Sequence, residues 1–257
     1  MPSTSGGYRD RRRAESFGSI AEQYDRARPP YPGALLDELA TLGGVDVLDV
    51  GCGTGKAAVM LAERGMRVLG VEPDAGMAAV AREHGVDVEV GAFETWDDAG
   101  RTFDLLTSAQ AWHWVDPRAG ARKAAGLVRP SGTVALFWNV HSLAPELRGR
   151  FDAVYERHAP ALAGRTNGLA SRGSSSADAA EPELVAAGFG DTRTRHFDWQ
   201  QRYARAEWLD LLATFSDHHL LRRPTRESLL SALGDVVDEL GGTVTVEYST
   251  LLLLARR

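Results

Sequence analysis

The chain has 257 residues, of which 44% are hydrophobic and 25% charged, with a formal net charge of −6 at pH 7. That length holds one large α/β domain or two small ones, and the acidic balance argues against bulk attraction to nucleic acid or anionic membranes. The single cysteine, Cys52, excludes an intramolecular disulfide. No run reaches membrane-spanning length and the start lacks the apolar core of a signal peptide, so the expected location is the cytoplasm. Arg9, Arg11, Arg12 and Arg13 read as part of a solvated tail over residues 1–16. Leu35, Leu36, Leu39 and Leu42 have helical spacing and stop at Gly43-Gly44. Val45, Val47, Leu48 and Val50 form a first strand, closed by glycines at 51, 53 and 55, and a helix follows from Lys56 to Arg64. A second strand spans 67–72. Asp74 caps a short helix carrying Met77, Val80 and Ala81. Val86, Val88 and Val90 alternate as a third strand, and Phe103 to Ser108 forms a fourth. Asp116-Pro117 starts a helix running towards Val128, and Thr133 to Trp138 is a fifth strand.

Five strands separated by helices predict a parallel, doubly wound α/β sheet with its ligand at the carboxyl ends of the strands. The rhythm then changes. A helix is expected over 145–162, and the Gly/Ser/Ala/Arg-rich segment from Gly164 to Asp178 reads as a loop or linker. Glu183 to Ala187 reads as helical and Thr192 to Trp199 as a strand. Helices over 205–215 and 225–240 precede a final strand, Thr243 to Ala255.

The order strand, glycine turn, helix at residues 47–64 is the opening of a nucleotide-binding βαβ unit. Glycine lets a ligand lie against bare backbone and permits positive φ. Glu72, seventeen residues after Gly55 at the end of the second strand, is placed to meet the vicinal hydroxyls of a ribose. A dinucleotide fingerprint needs glycine at 56, where Lys56 stands. Asp49 would repel a pyrophosphate but favour the ammonium of a bound amino acid, directly or through water.

Asp49-Val-Gly-Cys-Gly-Thr-Gly55 resembles the first motif of class I S-adenosylmethionine (SAM)-dependent methyltransferases. The resemblance implies a Rossmann-like seven-stranded, mostly parallel sheet with an antiparallel final strand and a helical cap. It assigns Asp49, Gly51, Cys52 and Gly53 to the amino-acid end of the cofactor, and Glu72 with Pro73 to the ribose. After the third strand, Ala92 or Phe93 stands where many relatives carry an acid for the adenine amino group. Phe93 packing and backbone groups are then expected to recognise adenine, with Glu94 a local hydrogen-bonder.

Ser108-Ala-Gln-Ala-Trp-His-Trp-Val-Asp116 follows the fourth strand and resembles the Ala-Gln-aromatic-His-Trp segment of a small-molecule subgroup related to trans-aconitate methyltransferases. Gln110 is placed at the cofactor, while Trp112 and Trp114 crowd the acceptor side. His113 is the candidate general base for a hydroxyl acceptor, its ordinary pKa near 6.5 suiting neutral pH; a loop-holding histidine is the alternative. Phe17 to Asp25, then Arg28-Pro-Pro-Tyr-Pro32, resembles the same subgroup's helical lid, in which Tyr24 closes on the methionine part and Arg28 pairs with its carboxylate or with a nearby acid. Trp138, Asn139, Tyr203, His218 and His219 are the further candidates for the acceptor pocket. The absence of a cysteine cluster, and of a ligand-spaced partner for His113, implies no metal.

The function expected is methyl transfer from SAM to a small molecule, on oxygen first, by in-line displacement, with S-adenosylhomocysteine (SAH) as product. Carbon or nitrogen methylation, or a non-methylating cyclisation or rearrangement, are the alternatives. The acidic balance and the lack of a base-flipping motif after the fourth strand argue against a nucleic-acid substrate. The expected organisation is one domain over 17–257: lid helices (17–44), cofactor core (45–140) and a C-terminal part (141–257) with cap helices at about 205–240.

Overall fold

A computed structural model of the chain describes residues 18–163 and 168–257. The expected tail at 1–16, Phe17 and the stretch 164–167 lie outside the described residues. Seven strands form one sheet in the order β3-β2-β1-β4-β5-β7-β6. They are β1 (Asp46–Val50), β2 (Arg67–Glu72), β3 (Asp87–Val90), β4 (Phe103–Ala109), β5 (Val128–Ser142), β6 (Gly190–Ala204) and β7 (Thr243–Arg256). The pairs among β1 to β5 are parallel, and β7 is antiparallel to both β5 and β6. This is the expected Rossmann-like arrangement, with the chain reversing around β1 and β4 so that their carboxyl ends open a crevice.

Period-two burial explains the layers. Leu48, Val50, Leu136, Trp138, Leu251 and Leu253 point to one face of the sheet and pack with α5 (Pro117–Leu127) and α7 (Gly168–Ala186). Their neighbours Val47, Ala135, Phe137, Leu252 and Leu254 point to the other face, against α2 (Gly33–Thr41) and α3 (Lys56–Ala62). Ala78 and Ala81 of α4 (Ala75–Glu83) join Cys52, Val86 and Val88 in a smaller cluster.

A separate apolar cluster lies in the C-terminal part. α6 (Pro145–His158), α8 (Arg205–Ala213) and α10 (Arg223–Glu239) enclose Phe151, Tyr155, Trp208, Leu229, Leu233 and Val237 with Tyr203, Val244, Val246 and Tyr248 from β6 and β7. α9 (Ser216–His219) completes this helical layer, and the N-terminal α1 (Ala21–Ala27) packs against α8.

Three elements differ from the expectation. Residues 168–178 are not a loop: α7 runs to Ala186, because Ala177, Ala180 and Leu184 recur on one side and sink into the core. Packing of such a stripe outweighs poor local propensity. β5 runs past Trp138 to Ser142, paired all the way with β7. β6 likewise extends to Ala204. None of the described helices is long and apolar enough to cross a membrane.

Candidate active site

β1 delivers the chain into a turn through Gly51 (φ +67°) and Gly53 (φ +57°), left-handed values cheap only for glycine. A Cβ on Gly51 would stand 2.5 Å from the Ala111 Cβ, so the turn is pressed against the loop that follows β4. The Gly51 N–H donates to the Val71 carbonyl at 2.7 Å, and the Gly53 N–H to Glu72 Oε2 at 3.0 Å. The glycine loop therefore hangs on the end of β2. The other Glu72 oxygen accepts the Asp74 N–H at 3.0 Å. Burial pushes the Glu72 carboxyl up to about 7, against the opposing pull of those two backbone donors.

Asp49, fully buried one strand away, accepts the Thr107 hydroxyl at 2.8 Å through Oδ1. Its Oδ2 has no hydrogen-bond partner among the described residues. Burial pushes this carboxyl up to about 7 as well, with the Thr107 hydrogen bond acting in the opposite sense.

The crevice at these strand ends holds about 860 Å³ of space free of protein atoms, part of it open to solvent. Gly51, Gly53, Glu72, Pro73 and Met77 form one wall. Ala92, Phe93 and Glu94, from the loop after β3, form the next, and Ala109, Gln110, Ala111, Trp114 and Val115 close the far side. Tyr24 covers the opening from α1. Gln110 holds φ +57°, a conformation side chains seldom adopt, fixed by its N–H to the Phe137 carbonyl (2.9 Å) and its amide to the Asn139 carbonyl (3.2 Å). Glu94 Oε1 accepts the Asp116 N–H at 2.8 Å, fastening the loop after β3 to the start of α5.

Other sequence candidates lie elsewhere, for physical reasons. The Cys52 thiol points into the apolar seam of α3 and α4 against Gly70, and its N–H is spent on Val71. Trp112 is core: it packs on Phe93 (5.9 Å between centroids) and against Gly120. Trp138 is buried in the same core. Asn139 is committed on both sides of its amide, donating to the Pro30 carbonyl (3.0 Å) and accepting from Thr250 (2.7 Å). Tyr203 shares a 2.8 Å hydrogen bond with Tyr248 inside the helical layer. His218, expected at a helix surface or in the pocket, is buried with Nε2 2.8 Å from the Tyr155 hydroxyl, and burial pulls its pKa down to about 4. His219 is half-buried at the end of α9, its carbonyl accepting Arg226 at 3.2 Å. Arg28 stands behind Tyr24, outside the cleft wall, with Nη2 donating to the Thr214 carbonyl at 3.0 Å. His113 lies on the short turn Trp112–Trp114, its ring 4.9 Å from that of Trp114, between residues that line the cleft.

Sequence reasoning missed the lid's attachments and His141. The Gly18 N–H donates to Asp74 Oδ2 at 2.8 Å. Lys56 Nζ donates to the Asp25 carbonyl at 2.7 Å, and Asp25 Oδ2 lies 3.0 Å from His84 Nε2. His141, two residues beyond Asn139 on β5, stacks on Phe215. Strand alternation was the one signal that put it on the same face as Asn139.

The donor set suits a nucleoside joined to an amino acid. Asp49 Oδ2 lacks a donor that an ammonium would supply, Glu72 keeps lone pairs for hydroxyls, and Pro73, Met77 and Phe93 offer an apolar shelf. Residues 47–132 match a family model described as a methyltransferase domain. An uncharacterized methyltransferase of Mycobacterium tuberculosis is 39% identical over 127 residues, 48% of this chain and 52% of the relative. The matched region thus spans about half the length of that relative. A methyltransferase-like protein of Dictyostelium discoideum is 30% identical over 152 residues, 56% of each chain. The fold resembles that of a candidate type II methyltransferase from Anaeromyxobacter dehalogenans, with a TM-score of 0.64 at 22% identity, covering 89% of this chain and 97% of that one. It also resembles a Haemonchus contortus phosphoethanolamine N-methyltransferase solved with SAH, with a TM-score of 0.53 at 16% identity, over 97% of this chain and 59% of that one. Loop, carboxylates and sheet order agree with the family match: residues 47–132 carry a methyltransferase domain, within a chain of Rossmann-like fold.

Proposed function

We propose that the protein binds SAM in this cleft and methylates a small-molecule acceptor on oxygen. The observation that carries the reading is the Glu72 carboxylate clamped onto the glycine loop at the cleft mouth, with the unpartnered Asp49 oxygen behind it. When bound, SAM supplies an electrophilic methyl group. Glu72 receives the ribose hydroxyls while holding the loop, and Asp49 meets the ammonium, directly or through one water. Phe93 and Pro73 pack on the adenine side, and Tyr24 excludes water from above. Gln110 and Trp114 orient the acceptor for in-line approach, an arrangement worth roughly 7–11 kcal/mol when well aligned. His113 takes the acceptor's hydroxyl proton on a ring nitrogen.

The test is incubation with methyl-labelled SAM and a fractionated small-molecule extract. Alkali-stable label in a product, SAH formed in step with it, and a drop of about a hundredfold or more in His113→Ala support the reading. Label lost as volatile methanol in mild alkali identifies a methyl ester and removes His113 from its role. Turnover without SAH identifies a non-methylating reaction.

A further inference from the structure

Arg28, which follows the lid helix, forms no ion pair with a carboxylate among the described residues. Among the described residues its guanidinium donates only to the Thr214 carbonyl, and its Nε is buried without a hydrogen bond. The nearest acid on its own helix, Asp25, is engaged by Lys56 and His84. The guanidinium lies 4.8 Å from the Tyr24 ring centroid and 4.6 Å from that of Phe215. Phe215 stacks on His141 (6.0 Å, 6° between planes), and His141 packs beside Tyr248, its partner across the β5–β7 ladder. Lid, β5 end and helical layer therefore converge on one cation walled by aromatic rings. Tyr24 also lines the cleft, so the guanidinium packs on a residue of the cleft wall. A partly desolvated cation without a counter-ion is costly, and an arriving anion removes that cost. A guanidinium fork matches a carboxylate, and flanking rings match a planar body.

We propose that Arg28 anchors a carboxylate of the acceptor, which is a planar hydroxyaryl acid held between lid and helical layer with its hydroxyl towards the cleft. The proposal rests on the methyltransferase reading and gives the substrate class of that site. The carboxylate is retained in the product, because it is the anchor and not the atom methylated. His141 and Tyr248 border the same anchor and set how bulky the body of the acid can be.

A carboxylate at Arg28 has two sources, the acceptor or the cofactor's own amino-acid end, and the test separates them. SAH affinity is measured by calorimetry for the wild type and Arg28→Gln. Binding of 4-hydroxybenzoate, 4-hydroxycinnamate and their neutral amides is then measured on the SAH-loaded proteins, with circular dichroism as the folding control. The expected result is SAH affinity within threefold in the folded variant, with at least one acid bound tenfold or more tighter than its amide by the wild type. That preference is lost in Arg28→Gln and largely restored in Arg28→Lys. Equal binding of acids and amides, or no binding of either at millimolar concentration, overturns the proposal. A tenfold loss of SAH affinity in Arg28→Gln overturns it too, by assigning the guanidinium to the cofactor. Should the wild type fail to bind SAH at all, the methyltransferase reading itself falls, an outcome distinct from these.

Discussion

Glu72 accepts the Gly53 N–H through one oxygen and the Asp74 N–H through the other, both at 3.0 Å. One side chain thus sets the glycine loop and the start of α4, whose cap Asp74 also holds the lid at Gly18. Glu72→Gln turns an NH2 towards one of two backbone donors, and Glu72→Ala removes both acceptors. A buried donor left without its acceptor costs about 1–3 kcal/mol, and each 1.4 kcal/mol is tenfold in affinity. Calorimetry is expected to show SAH binding weakened about tenfold or more in Glu72→Gln and further in Glu72→Ala.

The buried carboxyls and two desolvated imidazoles of this protein pull stability in opposite directions with pH. Asp49 and Glu72 have folded pKa values raised by burial from 3.8 and 4.5 to about 7. Between those limits the native state holds more protons than the unfolded one, so their contribution is full below about pH 4 and is lost as pH rises through 7. His141 and His218 are lowered by burial from 6.5 to about 4. Their contribution is full above pH 6.5 and is lost as pH falls through 4. The slopes oppose one another from about pH 4.5 to 6.5. Removing one acid by Asp49→Asn unbalances them, and the Tm of that variant is expected to rise with pH across this window relative to wild type. A parallel pair of Tm profiles would refute the assignment.

Gly51 is fixed by its neighbour as much as by its φ. Alanine at 51 must adopt φ +67° and place its Cβ 2.5 Å from the Ala111 Cβ, so two hydrogen-bonded segments are forced apart. Strain of this kind costs about 1–3 kcal/mol. Urea titration is expected to show a loss of that order for Gly51→Ala, with SAH binding reduced because the loop and the Gln110 segment separate.

How much of this was legible in the sequence depends on the signal each residue leaves. The glycine loop, Glu72 and the strand–helix alternation show plainly, because short strands and tight turns leave local patterns. Side-chain direction at the strand ends does not. Trp112 and Trp138 flank the site in sequence, as pocket residues would, yet both sit in the core. A large aromatic ring serves either place equally well. Asn139 reads as a polar pocket residue until Pro30 and Thr250, distant in sequence, are seen to use its amide. α7 was hidden by its serines and glycines, since only the tertiary contacts of Ala177, Ala180 and Leu184 reveal its buried stripe.

His218 and Tyr155 form a buried polar pair at 2.8 Å inside the helical layer, away from the cleft. Breaking it leaves a buried group without its partner, a cost of about 1–3 kcal/mol. His218→Ala and Tyr155→Phe are each expected to lower Tm while leaving the SAH dissociation constant unchanged. A normal Tm with impaired acceptor turnover would instead return His218 to the active site.

Lys56 distinguishes this loop from a dinucleotide site, and the structure gives it a task. Its ammonium holds the Asp25 carbonyl at 2.7 Å and faces the Asp25 carboxylate at 3.8 Å, while His84 holds the other carboxylate oxygen. The helix that carries Tyr24 over the cleft is thus tied to the start of α3 and the end of α4. Partly exposed ion pairs are worth about 0–1 kcal/mol, enough to change the residence time of a ligand beneath a lid but not to decide folding. Lys56→Met is expected to raise the SAH dissociation rate by roughly two- to fivefold with Tm nearly unchanged. Stopped-flow fluorescence can follow this through Trp114, which lines the cleft. Asp25→Asn keeps the carbonyl contact and loses only the charge, so its effect is expected to be smaller and to shrink with added salt. An unchanged release rate in Lys56→Met would show that α1 does not control exit from the cleft.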